Sequence, residues 1–195
     1  MGMLKALADF LSIHDAPASC DLIFVLAGRP ERKPYGWELF QSELTPRLIL
    51  SVGRYEVRET ARSPVEIPEL LSLREKTLPA QRHFWIDFRG GSRSVCLAGL
   101  KETNTFWEMY ALGEYLGPNF SGRIVIVSTS IHLRRVRLCC RKIAAFAQSP
   151  LLFLPVPEDK SYFQRDGWWK HRDQSSYLLA EYVKLAAYCL RYGWR

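Results

Sequence analysis

Ser128, Thr129 and Ser130 follow directly on the apolar run 124–127, with His132 and Arg135 close behind. Hydroxyls, an imidazole and a guanidinium in that order suit a polar or anionic ligand, with His132 as the candidate acid or base. Two other loops carry similar groups. Gly28, Arg29 and Arg32 come after the run 22–26, and Ser51, Gly53 and Arg54 come at the end of the run 48–51. Glycine lets a backbone approach a ligand closely, and arginine offers bidentate contact to carboxylate or phosphate. Asn104, Thr105 and Glu108 at a helix start, and Asp21 at the head of the first apolar run, complete the candidate binding set. Plainer readings stand beside these. The hydroxyls can cap a helix, with His132 bonded to the sheet edge. Thr105-x-x-Glu108 fits a capping box. Asp21 fits a turn, and Trp168 and Trp169 fit packing as well as stacking on a ring.

The elements that must position these residues are legible from apolar patterning. The runs 22–26, 48–51, 84–87, 124–127 and 151–154 are short, evenly apolar and rich in branched residues, which reads as buried strands. Helical spacing appears at 34–44, 68–76, 104–116 and 175–192, and from His132 through Val136 and Cys139 to Ile143. Arg134, Arg137 and Arg141 fall on another stripe of that last helix. Strands alternating with helices predict an α/β domain of three layers, α/β/α, around a mostly parallel five-stranded sheet. The stretch 94–100 reads as a short extra strand. A parallel sheet brings its strand exits to one edge, where ligands bind against helix N-termini. The expected pocket therefore lies at the carboxyl edge of the sheet. There Arg135, three residues from His132, lowers the imidazole pKa unless a carboxylate or anion offsets it.

The 195 residues fit a single domain, 1–195, with a core at about 21–190. A net charge of +7 favours acidic partners. No run of five or six like charges occurs, so a small anion is favoured over nucleic acid. The Arg134, Arg137, Arg141 and Lys142 face has no interleaved aromatics, which reads as a solvated helix exterior. Five cysteines, an odd number without C-x-x-C, predict free thiols in a reducing, cytoplasmic setting. Residues 1–13 read as an amphipathic helix carrying Leu4, Leu7 and Leu11, and no stretch has the length and apolarity of a transmembrane span. Ala6 stands where a myristoylation signal has a hydroxyl. The dinucleotide fingerprint, the P-loop and the nucleophile elbow are absent. The four histidines lie apart from any ligand-spaced partner, so no metal site is expected.

Several segments together resemble the domain-of-unknown-function 218 family, also called the ElyC/SanA/YdcF family. Asp21 and the strand to Gly28 resemble its opening, and Arg32 its following arginine. Pro46 through Ser51 and Gly53 resemble its second strand and glycine exit. Asn104, Thr105 and Glu108 resemble its Asn-Thr motif. Ser128, Thr129, His132 and Arg135 resemble its Thr-Ser-x-aromatic-His-x-x-Arg. Glu181, Lys184 and Tyr188 resemble its closing helix. The resemblance implies a Rossmann-like fold and an S-adenosylmethionine-type ligand. In some bacterial branches it implies a link to the cell envelope. It supplies no reaction. An enzyme acting on a nucleotide-like or phosphorylated ligand and a non-catalytic binding or regulatory module both stay open. Nucleic-acid binding through the basic face is a third reading.

Overall fold

The computed structural model describes residues 2–61 and 66–193; Met1, the stretch 62–65 and 194–195 lie outside the described residues. In chain order the elements are α1 (Gly2–Leu11), β1 (Leu22–Val25), α2 (Arg32–Gln41), β2 (Arg47–Gly53), α3 (Val57–Thr60), α4 (Pro68–Lys76), β3 (His83–Arg89), β4 (Ser92–Leu97), α5 (Thr105–Leu116), β5 (Ile124–Ser128), α6 (Leu133–Cys140), β6 (Leu151–Pro155) and α7 (Arg172–Tyr192). The protein is α/β.

The sheet has six strands in the order β4-β3-β2-β1-β5-β6. β2, β1, β5 and β6 run parallel, whereas β3 is antiparallel to both β2 and β4. The expected five-stranded, mostly parallel sheet is therefore corrected to a six-stranded mixed one. All five apolar runs do lie in it. The sixth strand follows from the hairpin turn at Gly90 and Gly91, whose φ values of +48° and +85° suit a tight turn of this hand. β4 is an edge strand whose first residues, Ser92, Arg93 and Ser94, are exposed, so its apolar signal is weak.

Side chains alternate across the sheet and are covered on both sides. Phe24, Ile49, Trp85 and Ile126 pack with Met109 and Leu112 of α5 and with Leu133 and Val136 of α6. Ile23, Val25, Leu48 and Leu50 pack with Leu39 of α2, Val57 of α3 and Leu70 of α4. A third cluster joins α1 and α7 over Leu138 of α6. The stripe expected from His132 to Ile143 is shortened. His132 closes a 3₁₀ turn, Ser130–His132, and α6 begins at Leu133 and ends at Cys140.

One close approach aims a helix at the future site. A Cβ on Gly36 would lie 2.2 Å from Val25 Cγ2, so α2 rests on β1 at a spacing only glycine permits. That contact holds the amino end of α2, where Arg32 sits, at the exit of β1. All five cysteines are free, and burial pushes the Cys139 thiol up to about 12. Among the described residues no helix is long and apolar enough to cross a membrane.

Candidate functional site

A cavity of about 700 Å³ lies at the carboxyl edge of β1 and β2. Gly28, Arg32, Gly53, Arg54, Asn104, Thr105, Glu108, His132 and Arg135 line it. Ser51, Ser128 and Thr129 are fully buried directly behind it and hold lining residues in place. Asp21 is not there. It lies at the other end of β1, where its Oδ2 accepts from Arg123 N at 2.7 Å, so its role is to join β1 to the start of β5.

β3 contributes a residue because it runs backwards. The register sets His83 opposite Gly53, so the first residue of β3 reaches the edge where β2 ends. His83 Nε2 lies 2.8 Å from Ser51 Oγ, and that hydroxyl donates to Glu108 Oε1 at 2.6 Å. Ala27 N–H also donates to Oε1, at 2.9 Å. With the Ser51 proton directed at Glu108, Nε2–H of His83 donates to Ser51. Burial alone would raise the Glu108 carboxyl; His83, Ser51 and the Ala27 amide outweigh it and hold the group below the usual carboxylate range. Glu108 is thus an anion at neutral pH. It is not the cap of α5: Asn104 caps that helix by accepting from Trp107 N at 3.1 Å, which frees Glu108 to turn inward.

A second buried carboxylate comes from Glu56. Its oxygens accept from the amides of Gly28 at 3.1 Å and Gly53 at 2.7 Å, and from Lys33 Nζ at 2.6 Å. It ties the exits of β1 and β2 together. Burial lowers the Lys33 pKa, against the pull of Glu56.

The arginines divide in the same way. Arg135 lies against Glu181 at 3.0 Å through both Nε and Nη2, and its Nη1 donates to Thr105 Oγ1 at 2.5 Å. Lys184 Nζ completes the Glu181 shell at 3.0 Å. Arg32 is buried too, but its partners are neutral: the Ala27 carbonyl and Thr129 Oγ1, the latter at 3.0 Å. Its Nε has no partner among the described residues. Gly28, at φ +122°, leaves the room this guanidinium occupies, since a Cβ would approach Nη1 to 3.1 Å.

His132 sits between these groups with both nitrogens engaged: Nδ1 at 2.8 Å from Ser128 Oγ and Nε2 at 3.3 Å from Thr105 Oγ1. Thr105 Oγ1 also accepts from Arg135, and the ring is neutral. Burial, followed by the charges of Arg135, Arg32 and Lys184, lowers its pKa well below the ordinary histidine value. The expected effect of Arg135 is present, and desolvation is the larger cause.

At the mouth, Arg29 lies over the rings of Tyr162, at 3.8 Å, and Tyr177, at 4.7 Å. Arg54 is exposed and donates to the Tyr55 hydroxyl. The α6 basic face is partly covered: Arg134 bonds to the Phe10 carbonyl and lies 4.4 Å from the Phe10 ring centroid. No group of three or more metal-ligating side chains occurs among the described residues.

Sequence reasoning did not single out Glu56, Lys33 or His83 for this site. Glu56 stands before a single helical turn with no period to read, and His83 needed the direction of β3. No family model, curated protein or solved structure matches the chain.

Proposed function

We propose that the protein binds a small anionic, nucleotide-like or phosphorylated ligand in the cavity at the carboxyl edge of its sheet. The observation that carries this reading is Arg32: a buried guanidinium held by neutral oxygens, without a carboxylate partner among the described residues. Burying a charge without neutralisation is costly, and a ligand anion supplies the missing charge. Arg29, Arg54 and Lys184 border the same cavity. The amino ends of α2 and α5 are turned toward it, which adds favourable dipoles. The volume falls within the range of small-molecule sites.

Arg135, expected from sequence to bind the anion, is matched by Glu181 and serves as a wall of the pocket. His132 fixes Thr105 and Ser128, which makes it a positioning residue; the candidate base is Glu108. An S-adenosylmethionine-type ligand, which the family resemblance implies, has a carboxylate that Arg32 suits and a size the cavity admits. A Rossmann-like three-layer arrangement accords with helices on both sheet faces. The cover over Arg134 speaks against a nucleic-acid face on α6.

Untargeted mass spectrometry of small molecules that co-purify with the wild type and with Arg32→Met tests the reading. An anionic compound retained by the wild type and lost from the variant is the expected result. Equal retention by both would overturn it.

A further inference from the structure

Three carboxylates border the cavity, and they differ in what they leave open. Both oxygens of Glu56 are occupied by Gly28, Gly53 and Lys33. Both oxygens of Glu181 are occupied by Arg135 and Lys184. Glu108 has two donors on Oε1 and none on Oε2 among the described residues. Nor is Oε2 among the unpartnered atoms shut away from solvent. An ionised carboxylate oxygen therefore opens on a cavity that Arg29, Arg32, Arg54, Arg135 and Lys184 also border.

Ala27 sets this oxygen beside Arg32. The Ala27 N–H donates to Glu108 and the Ala27 carbonyl accepts from Arg32, so one residue separates the two groups. A ligand that spans them is an anion at one point and a hydrogen-bond donor at the next. In a ligand that is anionic overall, a hydroxyl is the donor that adds no opposing charge. Tyr177 lines the same cavity, with its hydroxyl 2.8 Å from Thr129 Oγ1, which accepts from Arg32.

We infer that the ligand is a phosphorylated sugar, free or within a nucleotide, whose phosphate is held beside Arg32 and whose ring hydroxyl donates to Glu108 Oε2. This rests on the reading of the cavity as an anion site and adds the second point of recognition. The Tyr177 hydroxyl meets a further polar group of the ligand, and Arg29 with Tyr162 and Tyr177 flanks the ring.

Calorimetric titration with methyl phosphate, ribose 5-phosphate and AMP tests it, on the wild type and on Glu108→Gln. The glutamine keeps an acceptor for Ala27 and Ser51 and presents a donor where Oε2 was. The wild type is expected to bind ribose 5-phosphate at least about tenfold tighter than methyl phosphate, the size of one hydrogen bond to a charged group. Glu108→Gln is expected to remove that advantage and leave methyl phosphate unchanged. AMP tighter than ribose 5-phosphate points to a nucleotide, and equal affinity to a free sugar phosphate; both support the inference. Equal binding of methyl phosphate and ribose 5-phosphate by the wild type would overturn it, a result that needs no variant to fold. So would a variant that weakens both alike. Failure of all three probes to bind would overturn the anion site itself.

Discussion

Glu56 and Glu108 are both buried carboxylates beside the exits of β1 and β2, and they do opposite things. Glu56 is closed: a cation and two loop amides occupy both its oxygens. Glu108 is half open, with one oxygen saturated and the other facing the cavity. The arginines repeat the contrast, Arg135 matched to Glu181 and Arg32 left to neutral acceptors. Closed pairs hold the walls. Open groups are the ones the proposed reading assigns to the ligand. Burial alone does not separate the two classes; the count of partners does.

If that division holds, removing half of a closed pair should damage the fold more than removing an open group. The largest effect is expected for Glu181→Ala, which leaves Arg135 buried without a counter-ion and should cost about 3–5 kcal/mol in denaturant unfolding. Lys33→Met comes next. Glu56 keeps its amide donors there, so the loss should be about 2 kcal/mol. A loss from either below that of Arg32→Met would break the comparison.

His132 offers a pH test. Its folded pKa lies below the unfolded value, so the unfolded state takes up the proton first. Stability is then full above about pH 6.5 and falls as pH drops below it, by up to about 1.4 kcal/mol per pH unit until the folded form also protonates. Carboxylates such as Glu108, also depressed, add their loss only further down. His132→Asn should flatten the slope between roughly pH 6.5 and 5 relative to the wild type. An unchanged slope would mean that His132 is not held neutral. The smallest effect is expected for Asp21→Ala. It removes one bond to Arg123 N at the far edge of the sheet, for about 1 kcal/mol and no change in ligand affinity. A weaker ligand in that variant would contradict the placement of the site.

How much of this was legible in sequence follows from the range of each interaction. β1, β2 and β5 announce themselves because both of their faces are buried, and β6, at the sheet edge and partly buried, does so by its apolar run alone. β3 is equally apolar, but a run carries no direction; the Gly90–Gly91 turn and the pairing with β2 decide it. That reversal brought His83 to the site. Gly28, Arg32, Gly53, Thr105 and His132 were legible as neighbours around one cavity because local signals, strand ends and helix starts, put them at one edge. Arg135 reads from sequence as an unpaired cation because its partner, Glu181, lies 46 residues further on, on a helix that must first dock over α6. Glu108 fits a capping box locally, and only the Asn104 cap shows that its side chain is free for other work.

Arg32 is a buried positive charge without a carboxylate partner among the described residues, and we propose that a ligand anion supplies the missing charge. Calorimetric titration of AMP into the wild type and into Arg32→Met, at matched ionic strength, tests it most directly. One site per chain with at least about a tenfold loss of affinity in the variant, while its unfolding midpoint stays near that of the wild type, is the expected result. Equal affinity in the two proteins would contradict it.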